Sequence, residues 1–359
     1  MAKKFNNESV STEANENAIA NKETEGLSQG QIVRRRFVRH RAAMISLVTL
    51  ISLILMVFTA LEIHIGPFIY HGWWKYKTTD LPELLYKNCP HGSIGCPTLS
   101  LLPKFLGGTG VKLGQHPFGQ DDIGRDYFAL VMRGAQRSLL VMFIIGAVAG
   151  IIGTVIGAIS GFYRGWVDAI LMRFTDFIIT IPAIIIGSVI GYHFGNLGVT
   201  FLALYLGLFT WTGLSRLVRG EFLSLREREF VDAARVAGAK NRRIIFKHIL
   251  PNAVGVIIVS VTLLMAGAIL LETALSYLGF GVVAPDVSLG LLISQYQDAF
   301  TTRPWLFMYP GLFIIVIALS VNFVGDGLRD AFDPRQRARL GKKARARTAA
   351  ALRKETKSE

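Results

Sequence analysis

The chain has 359 residues, 51% of them hydrophobic and only 18% charged, with a mean hydropathy of +0.42. This excludes an ordinary soluble domain, since several segments approach the roughly 20 apolar residues that cross a bilayer. The formal net charge of +14 does not point to nucleic acid. The basic residues cluster beside apolar runs and near the C-terminus, the pattern of positive-inside anchoring and attraction to anionic lipid.

Residues 1–30 are polar, rich in Asn, Glu, Ser and Thr, and read as a disordered cytoplasmic tail. No apolar core lies near the start, so a cleavable signal peptide is not expected. Segment 31–61 opens with Arg34, Arg35, Arg36, Arg39 and Arg41 and continues into an apolar run at 43–61. The basic cluster places that end in the cytoplasm and makes the run an uncleaved first span. Segment 62–137 reads as an extracytoplasmic loop, with Trp73, Trp74 and Tyr76 near its start, placed to sit at the outer interface. Its two cysteines, Cys89 and Cys96, can pair in an oxidising compartment. Two separate thiols are the alternative, and no metal-ligand spacing involves them. At the loop's end Gly119 and Gly124 mark turns, and Asp121 and Asp122 can cap the following helix. Asp126, next to Arg125, reads as structural.

Segment 138–325 holds five further spans. The span at 138–160 carries Gly146, Gly150, Gly153 and Gly157 three or four residues apart, a smooth face for close helix approach. The span at 174–192 repeats the spacing with Gly187 and Gly191, and Pro182 should kink it. Asp176 near its inner end reads as an interfacial ion pair with Arg173. A fourth span falls at 197–214. The segment 215–251 then carries Arg216, Arg219, Arg226, Arg228, Arg235, Lys240, Arg242, Arg243 and Lys247. This cationic excess puts it in the cytoplasm, as the N-terminal cluster requires after four crossings. Spans at 252–271 and 306–324 follow, and 326–359 is a basic cytoplasmic tail that suits an anionic leaflet.

Within 215–251, the stretch 227–251 reads as two short amphipathic helices with a hinge at Gly238. Asn241 can cap the second helix, and Pro251 can open the next span at its first turn. Such a hairpin at a membrane surface can dock in a groove of a soluble partner, or lie on the lipid interface. The sequence contains no G-x-x-x-x-G-K-[ST], G-x-S-x-G or H-E-x-x-H, so no catalytic or metal site is expected in this chain. His40, His116, His193 and His248 are scattered over loops and span ends. An ion-gradient-driven secondary transporter is the alternative transport class. It would place ionisable residues at mid-membrane, and the span centres are nearly free of charge.

Four ordered signatures carry a family resemblance. HPFGQDDIGRD (116–126) resembles the HPFGTDxxGRD of the C-type permease subunits of dipeptide/oligopeptide ATP-binding-cassette (ABC) importers, with Gln120 in place of Thr. Asp232-Ala233-Ala234, Gly238, Ile244, His248 and Pro251 resemble the EAA loop of those permeases, with Asp for the usual Glu. LETALSYLGFG (271–281) resembles their E…LSFLGLG pattern, and GDGLRDAFDP (325–334) resembles their ending. The resemblance implies an all-α polytopic membrane protein with six transmembrane helices and the type I ABC importer permease fold. It implies a transport subunit for peptides, without enzymatic chemistry of its own, in a prokaryotic cell membrane with both termini cytoplasmic. It further implies a second, B-type permease subunit, two ABC ATPase subunits that bind ATP and Mg, and an extracytoplasmic substrate-binding protein. On this resemblance Asp232, Ala233, Ala234, Gly238, Ile244, His248 and Pro251 couple the chain to the ATPase.

Overall fold

A computed structural model describes residues 29–65, 68–83, 95–99 and 113–332. The expectations for the two tails and for Cys89 fall outside those residues. Helix α1 spans Gln29–Arg39 and α2 spans Arg41–Ala60. His40 separates them: it leaves helical dihedrals, and its Nδ1 accepts from Ala43 N–H to cap α2. Strands β1 (Ile63–Ile65) and β2 (Phe68–Tyr70) form a small antiparallel pair that the composition did not signal. Then come α3 (Tyr127–Tyr163), α4 (Gly165–Ile179), α5 (Ala183–Phe194), α6 (Val199–Thr210), α7 (Thr212–Arg226) and α8 (Glu229–Val236). Helix α9 runs Asn241–Tyr277, α10 is Leu289–Tyr296 and α11 is Trp305–Phe332.

Among the described residues, four helices (α2, α3, α9 and α11) are individually long and apolar enough to cross a bilayer. The pairs α4–α5 and α6–α7 pass the same test together but bend by 72° and 43° at their junctions, giving up to six spans. The α4–α5 bend has the cause that the sequence supplies: Pro182 occupies the N-cap of α5, because its ring and missing N–H cannot continue α4.

Several span boundaries depart from the sequence reading: helix begins at Gly165 before the third span, continues to Arg226 after the fourth and to Phe332 after the sixth, and α3 and α9 differ most. Helix α3 begins at Tyr127, not near 138, because Asp126 caps it. At 37 residues it is about 55 Å long, well beyond a hydrocarbon core of about 30 Å. Helix α9 is the same length. Its first turns are the second half of the expected hairpin, so no separate short helix precedes the fifth span. Pro251 is the second residue of the regular α-helical stretch Leu250–Tyr277, so it opens that stretch at its first turn as expected. A π-turn at Ile244–Ile249 directly precedes it. The wider turn absorbs the missing Pro251 N–H and the ring's clash with the preceding turn.

Helix α3 is the central column, packed against α2, α6, α7 and α9. Its glycine face divides between two neighbours. Gly146 meets Met265 and Gly150 meets Val261, both on α9. Gly153 meets Leu214, and Gly157 meets the Ser215 carbonyl and Val218, all on α7. A Cβ at Gly157 would overlap the Ser215 backbone; the helices touch main chain to main chain there. On α5, Gly187 sits against Leu206 and Leu275, and Gly191 against the Phe280 backbone.

The contact at Gly157 gives a direct test. Gly157→Val should destabilise the detergent-solubilised chain by about 1–3 kcal/mol through overpacking. Gly220→Ala, which adds its Cβ on α7 in open space, should be neutral or slightly stabilising. Thermal unfolding followed by size-exclusion chromatography reads both.

Candidate functional site

The stretch 227–251 folds as a short helix, a sharp turn and the start of a long helix. Helix α8 ends in a Schellman turn. Gly238 N–H donates to Arg235 O at 2.9 Å, and Ala239 N–H donates to Ala234 O at 3.0 Å. Gly238 has φ +73°, a left-handed conformation that costs an L-residue about 1–2 kcal/mol. The expected hinge is thus a defined helix stop. Asn241 is the first residue of α9, and Lys240 holds the N-cap without a side-chain bond.

Apolar burial fixes the hairpin to the rest of the chain. Val231 and Ala234 of α8 and Ile244, Ile245 and Ile249 of α9 are buried with Phe162 of α3 and Val218 and Phe222 of α7. Each large side chain removed from water there contributes about 1.5–3 kcal/mol. The exposed Asp232–Arg235 pair, at 2.8 Å, contributes about 0–1 kcal/mol. The apolar underside therefore sets the shape.

The residues singled out on the sequence fall into two groups. Ala234 and Ile244 are buried within the chain and shape the hairpin from inside. Asp232, Ala233, Gly238 and Pro251 are exposed. His248 is half-buried, and its carbonyl accepts from Asn252 Nδ2 at 2.6 Å. Alongside them, Phe230, Val236 and Phe246 are also exposed, Val236 at 90%. Helical spacing put Phe230 and Phe246 on one apolar stripe with Ala234 and Ile244, yet the structure turns them outward, and Val236 was not singled out.

A set of polar contacts ties the start of the hairpin to the α3–α4 turn. Arg164 sits in that turn with φ +54° and pairs with Glu227 at 2.9 Å. Arg226 donates to the Phe162 carbonyl. Arg219 of α7 holds Asp168 of α4 by two bonds of 2.6 Å, and Ser160 Oγ donates to the same carboxylate at 2.5 Å. This bidentate geometry is the strong form of the Arg–carboxylate pair. Asp176 pairs with Arg216 of α7 at 2.5 Å rather than with Arg173. Helix–helix packing brings Arg216 there across 40 residues, which sequence proximity could not show.

At the opposite end of the molecule the HPFG…GRD stretch forms a buried knot. Asp126, not Asp121 or Asp122, caps α3, accepting from Ala129 N–H at 2.9 Å. It also accepts from Trp74 Nε1 at 2.8 Å, and it lies 2.7 Å from His116 Nδ1. Trp74 packs on Phe128, and Tyr76 stacks on His116 at 4.6 Å, so these two rings turn inward, while Trp73 is 53% exposed. Asp121 instead closes the turn, accepting from Ile123 N–H, Arg125 N–H and Arg125 Nε. Tyr296 OH donates to it at 3.2 Å. Burial, aided by the nearby Asp121 charge, pushes the Tyr296 phenol well above its ordinary pKa, so it stays a donor. Cys96 is disulfide-bonded.

The sequence reading also left Glu272 without a role. It is wholly buried on α9 and accepts from Ser138 Oγ at 2.9 Å and Ser276 Oγ at 2.7 Å. Ser276 Oγ in turn accepts from Val282 N–H. The carboxylate thus locks α3, α9 and the following outer turn together, with its lone pairs satisfied as burial demands.

With this geometry in place, the comparisons are specific. The family described as binding-protein-dependent transport system inner membrane component matches residues 153–338. The description N-terminal TM domain of oligopeptide transport permease C matches residues 28–87. The oligopeptide transport system permease protein OppC of Mycobacterium tuberculosis is 36% identical over 315 residues, covering 88% of this chain and 97% of that protein. OppC of Haemophilus influenzae is 36% identical over 320 residues, covering 89% and 93%. A putative peptide permease protein of Brucella ovis is 36% identical over 312 residues, covering 86% and 92%. Among solved structures, a chain of the inward-facing MetNI methionine ABC transporter aligns with TM-score 0.47 and 20% identity, over 57% of this chain and 96% of that one. The chain belongs to the family of binding-protein-dependent transport system inner membrane components. It is a multi-pass membrane permease, a transport subunit rather than an enzyme. The secondary-transporter alternative finds no support in these matches.

The buried and exposed carboxylates predict opposite outcomes. Asp126→Ala removes the α3 cap and two further partners and should cost roughly 3 kcal/mol. Asp232→Ala should change stability by less than about 0.5 kcal/mol. Unfolding midpoints of the two purified variants distinguish them.

Proposed function

We propose that the chain is the C-type permease subunit of an ATP-driven peptide importer. In this reading it forms half of the translocation pore with a B-type permease, and two ABC ATPases bind below and carry ATP and Mg. An extracytoplasmic binding protein delivers the peptide and sets most of the selectivity. Both termini are cytoplasmic, in a prokaryotic cell membrane. Relatives named as oligopeptide or peptide permeases, at 36% identity over most of the chain, support the substrate class.

The observation that carries the coupling role is the exposed apolar face of the hairpin. Phe230, Ala233, Val236 and Ala237 lie beyond the span ends and outside the chain's own core. An apolar face in the aqueous phase fits a protein partner. Its rigid underside transmits displacement: moving α8 moves Glu227 and Arg226, hence the α3–α4 turn, and the buried Ile244–Ile249 turn moves α9. Alternating access then follows as rocking of the spans about the glycine contacts of α3.

Gly238→Leu forces a branched side chain into the left-handed turn. In proteoliposomes holding the complete importer it should leave ATP hydrolysis running while peptide uptake falls at least tenfold, roughly what a misplaced turn worth 1–2 kcal/mol permits. Normal uptake in that variant would overturn the coupling assignment.

A further inference from the structure

The end of α3 remote from the hairpin carries two arginines that neither the knot nor the glycine face uses. Arg133 and Arg137 lie one turn apart. They line a cavity of about 480 Å³ with Glu62, Gln136, Asp286 and Thr78. A second cavity of about 320 Å³ shares Arg133, Glu62 and Thr78, so Arg133 stands between the two. Arg133 lies 25 residues from Ala158 of the hairpin-bearing core, about 38 Å along the helix. On the orientation set by the basic segments, the cavity opens outward.

Across the two cavities the described cations, Lys75, Lys77, Arg133 and Arg137, outnumber the carboxylates, Glu62 and Asp286. Lys77 pairs with Glu62 at 2.9 Å, and Arg137 Nη2 pairs with Asp286 at 3.1 Å. Each carboxylate thus has its cation. Among the described residues Arg133 makes no direct carboxylate pair, although Glu62 and Asp286 are near enough to attract it: its Nη1 donates to Gln136 Oε1 at 2.9 Å and its Nη2 reaches the Glu62 carbonyl at 3.4 Å. Gln136 is itself fixed, donating to the Val57 carbonyl at 2.8 Å. Arg137 Nε is buried and has no hydrogen-bond partner among the described residues. A half-buried guanidinium held by neutral groups beside an unfilled N–H is a preformed receptor for a planar anion. The larger cavity falls in the size range of small-ligand sites and has room for the terminal residue of a peptide.

We infer that this outer cavity receives the C-terminal carboxylate of the incoming peptide on Arg133, with Arg137 completing the contact. The inference rests on the peptide-import reading and adds a selectivity step within this chain. Asp286 is its built-in competitor, since it already occupies Arg137.

The test uses the complete importer in proteoliposomes, with the binding protein saturated by one peptide sequence offered either as the free acid or as the C-terminal amide. Because the binding protein is the same throughout, its own preference cancels when variants are compared. The acid-over-amide ratio of uptake rates should fall roughly tenfold in Arg133→Gln. It should rise in Asp286→Asn, where Arg137 is released. Opposite changes in two variants cannot come from misfolding. An unchanged ratio in Arg133→Gln, or equal loss of both peptides as expected if an anionic lipid headgroup filled the site, would overturn the inference. A wild-type importer that takes up neither peptide would instead defeat the peptide-import reading.

Discussion

The close approach of α3 to α7 at Gly153 and Gly157 is the contact on which the rest of the architecture depends. No side chain fits between Gly157 and the Ser215 carbonyl, so the two helices act as one body. From that body α7 projects past the span and delivers Phe222 and Val218 as the floor of the hairpin. Helix α8 and the first turns of α9 bury their apolar residues on that floor. The hairpin's outer face is then left to whatever binds it. Close packing between helices, rather than surface charge, determines where the proposed coupling surface sits.

The two ends of the molecule are built with different chemistry. At the outer end, buried carboxylates do the tying. Asp126 joins α3 to Trp74 and His116, and Glu272 joins α3 to α9 through two serines. Removing one partner of such a buried group is costly, which suits a frame that holds its shape. At the inner end, beside the bidentate Arg219–Asp168 pair, lie exposed Arg–carboxylate pairs such as Arg164–Glu227 and Arg216–Asp176. Each is worth about 0–1 kcal/mol and can exchange partners cheaply. A stiff outer end and a re-pairable inner end are what a transporter driven from the inside requires.

Much of this was legible in the sequence because the signals were local. Six apolar segments, the glycine spacing on α3, the Pro182 break and the hairpin with its glycine all follow from short-range chemistry. Two of the errors concern pairs made by tertiary packing. Asp176 found Arg216 rather than Arg173 because α4 packs on α7. Asp126 took the cap expected of Asp121 because Trp74 and His116 converge on it from other segments. Pro251 opens the regular α-helical stretch that begins at Leu250, as its local chemistry prescribes, behind a π-turn. Within the candidate site, helical spacing grouped Phe230 and Phe246 with Ala234 and Ile244, but the first two face out and the last two face in, and Val236, the most exposed, was passed over. A motif match marks a stretch of chain, and only burial separates its inner face from its outer one.

The central claim, that the outward face of the hairpin docks on an ATP-binding subunit, is tested most directly by site-specific cross-linking. Val236 is 90% exposed and contributes nothing to the hairpin's core. Val236→Cys in the assembled transporter, treated with a short thiol-to-amine cross-linker in native membranes, should give a product containing this chain and an ATPase subunit. A Leu113→Cys control at the opposite, outer end, where Leu113 is exposed, should not. Cross-linking of the outer position to the ATPase, or of Val236→Cys to lipid alone, would contradict the account.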